Sequence, residues 1–327
     1  MAHTIAVLSQ KGGTGKTTAV RTLADVLRRI GVATLVIDLD PQGNLSDYFD
    51  VPPEAEPTIG DVLSGRADAA EAIHEDIIPA NLNLAEAELM LGGKMGRELT
   101  LRRALAPVTG DYDVALIDCP PSLGLLTVNA LVAADEALIT AEAQYFALQG
   151  VEQAMEVIGL ARDSLNPDLE LLGVVLNIAD MRTVHSREAF ASLRERFGEK
   201  LFETVIRASI AYAESAERAV SILDHRPDLG ADYLALADEL LGVVLNLADM
   251  RTVHSREALA SLKERFGEKV FDTVIRASIA YAESAERARS ILDYRPDLGS
   301  DYIALAAEVL ARLPGLGAAS ERLAKLR

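Results

Sequence analysis

The stretch Ser9-Gln10-Lys11-Gly12-Gly13-Thr14-Gly15-Lys16-Thr17-Thr18 restricts this chain more than any other. It follows the apolar run HTIAVLS at 3–9. It precedes KTTAVRTLADVLRRI at 16–30, whose apolar residues recur at helical spacing and which stops at Gly31. A phosphate-binding loop belongs in such a place, a glycine-rich turn between a buried strand and a helix. The glycines let successive N–H groups turn inward as an anion nest. The helix start adds unpaired N–H groups and the positive end of its dipole. Lys16 is expected to reach the β- and γ-phosphates, and Thr17 to offer its hydroxyl to Mg²⁺. One position departs from the usual pattern: Gln10 stands where a glycine is expected, and a second lysine, Lys11, comes next.

The remaining apolar runs fit the same architecture. VATLVIDLD (32–40), DVALIDC (113–119), EALITA (136–141), LLGVVLN (171–177) and ETVIR (203–207) read as strands. Residues 58–109, 146–165 and 230–240 read as mostly helical, with 58–109 broken at Pro79 and Gly92–Gly93. Strands that alternate with helices and read as continuous apolar runs imply an α/β fold with a mostly parallel sheet covered on both faces. In such sheets ligands gather at the carboxyl ends of the strands. Asp38 and Asp40 end the second run and Asp118 ends the third, so all three point to the end where the loop lies. Asp118 is the natural Mg²⁺-side carboxylate. Asp38 and Asp40 fall on opposite faces if the strand continues that far.

Three segments together, KGGTGKTT (11–18), DLDPQGN (38–44) and LIDCPPSLGLLTVNAL (116–131), resemble the deviant-Walker-A P-loop ATPases of the ParA/Soj/MinD class. Within that class the likeness is greatest to small ParA-type chromosome or plasmid partition ATPases. AQYFALQGV (143–151) and GVVLN (173–177) extend it in order to about residue 241. The resemblance implies ATP and Mg²⁺ as cofactors, bound by Lys11, Gly12, Gly13, Thr14, Gly15, Lys16, Thr17 and Thr18. It implies a homodimer with two ATP molecules sandwiched between subunits, Lys11 reaching the partner's nucleotide. Asp40 takes the place of the residue that positions the attacking water, and Thr17, Asp38 and Asp118 surround the metal. Asn177 matches the asparagine that reads the adenine edge. A ParB-like partner protein and non-specific DNA are the implied macromolecular partners. Two departures bear on this. Ile206-Arg207-Ala208-Ser209 replaces the family's isoleucine-proline-arginine-asparagine near the base, and Asp224 stands where a basic residue often helps to hold DNA.

Charge bears on the partners. The 327-residue chain has a net charge of −18, spread as −15 over 1–172, −6 over 173–310 and +3 over 311–327. An acidic background opposes DNA and anionic membranes unless a local basic patch outweighs it. Arg187, Arg194, Arg196, Lys200 and Arg218 are the candidates. The single cysteine, Cys119, cannot form an internal disulfide, and with no secretory pattern at the N-terminus a cytoplasmic setting is expected. One cysteine also argues against an iron–sulfur reductase on this scaffold. No apolar run is long enough for a membrane span, so stable membrane insertion is not expected. The alternatives are a MinD-like membrane-associated positioning ATPase and an ATP-binding interaction module with little turnover.

The last feature is a repeat. Residues 173–241 and 242–310 match at 58 of 69 positions at a fixed offset of 69. The expected organisation is a P-loop ATPase domain at 1–241, a second copy of 173–241 at 242–310, and a tail at 311–327. The first copy should fill the normal place in the sheet. The second should extend the sheet edge or dock as a separate lobe. Asn246 repeats Asn177, which raises the question of which copy completes the site.

Overall fold

The computed structural model describes residues 2–29, 31–144, 146–241, 243–248, 270–276, 278, 294–298, 300–301 and 304. Two compact units are present, residues 1–236 and 237–327.

The first unit is built on a seven-stranded sheet. Its strands are β1 (His3–Leu8), β2 (Thr34–Asp38), β3 (Ile77–Ile78), β4 (Val114–Asp118), β5 (Glu136–Glu142), β6 (Glu170–Ala179) and β7 (Leu201–Arg207). They lie in the order β3-β2-β4-β1-β5-β6-β7, and every neighbouring pair is parallel. All residues of β2 and β4 are buried, so both faces of the sheet are covered. This agrees with the continuous apolar runs that mark such strands. The helices that matter for the site are α1 (Lys16–Arg29), α2 (Asn44–Tyr48), α3 (Ile59–Ser64), α4 (Asn83–Gly92), α5 (Thr100–Leu105), α6 (Leu125–Ala133), α7 (Ala147–Ser164), α8 (Val184–Phe197) and α9 (Ala211–Glu217). They are followed by α10 (Ile222–His225) and α11 (Pro227–Leu241). Helix α1 buries Ala19, Val20, Leu23, Ala24, Val26 and Leu27, the stripe its spacing predicts. The chain leaves β1 towards β2 on one side and later reaches β5 on the other. The order therefore reverses around β1, which places a crevice at the carboxyl end of that strand.

Two details differ from the sequence reading. The segment 58–109 holds the short edge strand β3 as well as helices. Ile77 and Ile78 pair with Val36 and Ile37 of β2. Two residues are too few to show an alternation, so only the sheet reveals them. The second strand also stops at Asp38 rather than running to Asp40. Asp40 therefore belongs to a turn, and the strand rule for opposite faces does not apply to it.

The strands of the first repeat copy, β6 and β7, occupy the sheet as expected. Those of the second copy are β8 (Val243–Ala248) and β9 (Val270–Arg276), which form their own two-stranded parallel sheet. The register Val243↔Val270, Leu245↔Val274, Ala248↔Arg276 repeats Val174↔Leu201, Leu176↔Val205, Ala179↔Arg207 residue for residue. Among the described residues, the two strands of each copy pair in the same register. The tail at 311–327 lies outside the described residues.

Because the seven-stranded sheet is complete with the first copy, a chain lacking residues 242–310 should retain it. Far-ultraviolet circular dichroism with a thermal melt checks this: one cooperative transition is expected, and a gradual, non-cooperative loss of signal would refute it.

Candidate functional site

The loop between β1 and α1 is shaped by its glycines and braced from beneath. Gly13 and Gly15 adopt φ of 76° and 81°, the left-handed region that glycine enters without strain. Gly15 has a second reason to lack a side chain: a Cβ there would collide with the Asn177 amide nitrogen. That amide, from the carboxyl half of β6, donates to Thr14 O at 3.0 Å and Gly15 O at 3.4 Å. Its oxygen accepts the Ile178 N–H at 2.8 Å. Beneath the loop, Ser9 Oγ and Thr14 Oγ1 lie 2.7 Å apart, and Thr14 Oγ1 is 3.2 Å from Thr140 Oγ1. Lys16 Nζ donates to Ser9 Oγ and to Lys11 O, each at 3.3 Å.

The strand ends bring the charges together. Asp38 and Asp118 are register partners on β2 and β4, so their carboxylates lie side by side, and both are fully buried. Burial first, and then Asp38, push the Asp118 carboxyl well above the usual carboxylate range. Lys16 and the Thr17 hydroxyl act the other way. Neither Asp118 oxygen has a hydrogen-bond partner in normal geometry, although Thr17 stands near enough to favour its charge. Burial pushes the Lys16 ammonium down, partly offset by Asp118, Cys119 and Asp40.

Asp38 behaves differently. Its oxygens accept from Asp40 N at 3.1 Å, Ser46 N at 3.0 Å and Ser46 Oγ at 2.7 Å. Burial raises its pKa to about 6 against those hydrogen bonds. Asp38 thus ties the turn that carries Asp40 to α2. Asp40 sits in that turn, its Oδ1 accepting from Gln42 N at 3.0 Å and its carbonyl from Gly43 N at 3.0 Å.

A cleft of ≈ 500 Å³ opens above these groups. Gly12, Gly13, Gly15, Lys16, Thr17 and Thr18 form one end of it, beside Asp40. Asn44, Asn177, Arg207, Ser209, Tyr212 and Ala213 are among the other residues that line it. Thr14 lies under the loop, and Asp38 and Asp118 lie beneath the cleft, outside its lining. Arg207 is clamped by Asp232, with Nε 2.9 and 3.0 Å from its two oxygens. Sequence reasoning missed Ser46 and Tyr212. Ser46 is eight residues beyond Asp38 with no motif linking them, and Tyr212 follows the segment where the family's base motif is replaced.

Lys11 is exposed, its side chain 65% accessible, with Nζ 3.4 Å from Glu142 Oε2 and 3.2 Å from Gln144 Oε1. Most of the basic candidates for DNA are engaged locally. Arg194 pairs with Glu203, Arg196 with Glu152, Lys200 donates to Leu171 O, and Arg187 to Met181 O and Arg182 O. Asp224 pairs with Arg29 at 3.1 Å. Arg218 is exposed at the end of α9. Asn246 lies on β8, the register counterpart of Asn177.

A carboxyl with a raised folded-state pKa favours the fold while protonated and loses that contribution as pH rises through the raised value. Asp118→Asn should therefore raise the Tm of the ligand-free protein at pH 8, by about 2–4 °C for each kcal/mol of relieved charge burial. The gain should shrink as the pH is lowered towards 4, where wild type carries the proton itself. Calorimetric melts across that range test this. An equal loss of Tm at every pH would show that the charge is not the source.

Comparison with known proteins agrees with this geometry. The AAA domain family matches residues 2–171. The chain is 38% identical to the sporulation initiation inhibitor protein Soj of Bacillus subtilis over 249 residues, 73% of this chain and 98% of that one. Among solved structures it is similar to cobyrinic acid a,c-diamide synthase from Mycobacterium smegmatis with bound ADP and magnesium (38% identity, TM-score 0.61, 66% of this chain and 93% of that chain). It is also similar to the septum site-determining protein MinD from Pyrococcus horikoshii complexed with Mg-ADP (25% identity, TM-score 0.61, 73% and 96%). With strand order, loop and carboxylates all in place, the chain belongs to the ParA/Soj/MinD class of P-loop ATPases.

Proposed function

We propose that this protein is an ATP-switched ATPase of the ParA type, which dimerises around two nucleotides and acts in chromosome or plasmid partition or positioning. The observation that carries this is Lys11. It is a second lysine on a well-formed phosphate loop, held at the rim by one surface ion pair and one amide. Exposed pairs of this kind contribute about 0–1 kcal/mol, so the side chain leaves at little cost.

The residues fit a magnesium nucleotide. Asp118 offers two buried acceptor oxygens without normal partners, next to the Thr17 hydroxyl. Thr17 and Asp118 would hold Mg²⁺, with Asp38 fixing the neighbouring turn. The metal, when bound, neutralises β- and γ-phosphate oxygens. The loop N–H groups and Lys16 bind the phosphates, and Lys11 from a second subunit adds a cation at the γ-phosphate. Asp40 orients the attacking water. Phosphoryl transfer needs little beyond positioning and positive charge, so a cation supplied in trans makes turnover depend on dimerisation. Asn177, on β6 and in the cleft lining, would read the base. Its amide donors are engaged with the loop carbonyls, so base and loop compete for it. A ParB-like partner is expected to stimulate turnover. Non-specific DNA contact would fall mainly to Arg218, since the other candidate cations are occupied.

Size-exclusion chromatography with ATP and Mg²⁺ tests the proposal on wild type, Lys11→Ala and Lys16→Ala. Dimers are expected for wild type only. Lys16→Ala should lose nucleotide binding, whereas Lys11→Ala should bind ATP as a monomer and hydrolyse it roughly 10²–10³-fold more slowly. ATP-dependent dimers that persist in Lys11→Ala would remove the trans-lysine mechanism.

A further inference from the structure

Helix α1 carries a buried cation that the phosphate loop does not need. Arg21 stands one turn beyond Thr17 and is 3% exposed. Its Nη2 donates to Tyr212 O at 2.6 Å and to Ser215 Oγ at 3.0 Å, both in α9. Its guanidinium carbon also lies 4.7 Å from the centre of the Tyr48 ring, at the end of α2. Tyr48 is itself fixed by its hydroxyl, which donates to Asp25 at 2.8 Å.

Both elements held by Arg21 reach the cleft. Tyr212, Ala213 and Ala216 of α9 line it. Asn44, the first residue of α2, lines it too, as do Asp40 and Gln42 just before it in sequence. Farther along α1, Arg28 lies over Phe49 at the end of α2 at 4.9 Å, and Arg29 pairs with Asp224 of α10. Those two keep part of their surface in water; Arg21 does not. A buried guanidinium is tolerated only when its donors are used. Here a single nitrogen serves two acceptors on α9 while the guanidinium lies over the Tyr48 ring of α2. Movement of either wall costs contacts with the other.

The phosphate loop accounts for the phosphates, which leaves the part of the lining that α9 supplies for the nucleoside. We propose that Arg21 is a positioning residue that locks α9 to α2, so that recognition of the nucleoside half of the nucleotide depends on it while phosphate binding does not. This rests on the reading of the cleft as an ATP site.

Isothermal titration calorimetry with two probes, Mg²⁺·ATP and Mg²⁺·tripolyphosphate, separates the possibilities. Wild type should bind ATP more tightly than tripolyphosphate. In Arg21→Met the affinity for ATP should fall roughly tenfold while that for tripolyphosphate stays within about twofold. Arg21→Lys should recover part of the loss. Tyr48→Leu, which removes the stacked ring and leaves the arginine, should reproduce it in smaller measure, and these two variants carry the test if Arg21→Met does not fold. Equal weakening of both probes, or no change in either, would overturn the proposal by reducing Arg21 to a packing residue. A wild type that binds both probes equally would remove nucleoside recognition from this cleft and leave the phosphate loop standing. A wild type that binds neither would overturn the ATP-site reading itself.

Discussion

Two carboxylates side by side at the ends of β2 and β4, with one buried ammonium nearby, are the constraint around which the site is arranged. Parallel register forces Asp38 and Asp118 together. Their burial would be costly if both behaved alike, and they do not. Asp38 spends its oxygens on three donors in the following turn and helix, and so becomes an anchor for Asp40. Asp118 keeps its oxygens without normal partners, beneath a loop whose N–H groups and lysine favour negative charge. One pair of like residues thus divides into a support and a candidate ligand through hydrogen bonding alone.

Much of this was legible in the sequence, and the parts that were not share a cause. The strand–loop–helix unit, the central strands and the approximate position of Asp40 follow from apolar runs and short motifs, because those features are local. The edge strand Ile77–Ile78 has no local signature and exists only as a partner for β2. Ser46 gains its importance from Asp38, and Tyr212 from the bend of the chain after β7. Sequence spacing says nothing of such meetings. Asp38 shows the subtler limit: its residue type suits a metal site and a helix tie equally, and no local motif announces the hydrogen bonds it makes with Ser46 and Asp40.

The repeat shows how much structure a local stretch can specify. Strands β8 and β9 pair in the register of β6 and β7 at every recorded position, irregularities included. They do so in a two-stranded sheet of their own. The pairing of the two strands in each copy is therefore set by the 69-residue segment itself rather than by the five strands that flank β6 in the large sheet. A segment with that property can be copied without destroying the fold around it.

The contact between Asn177 and the loop gives this modularity a boundary. Gly15 has no room for a side chain because an amide from 162 residues away fills the space. The loop and β6 are cut to each other's shape, like two halves of a split key. Recombination that exchanges the carboxyl-terminal part of such a chain with that of a distant homologue must preserve a small residue at one end and a fitting amide at the other. Crossovers upstream of β6 would be filtered by that single fit, whereas added sequence that leaves β6 in place would not meet it. The sequence repeat, which begins again only at residue 242, leaves that split key whole.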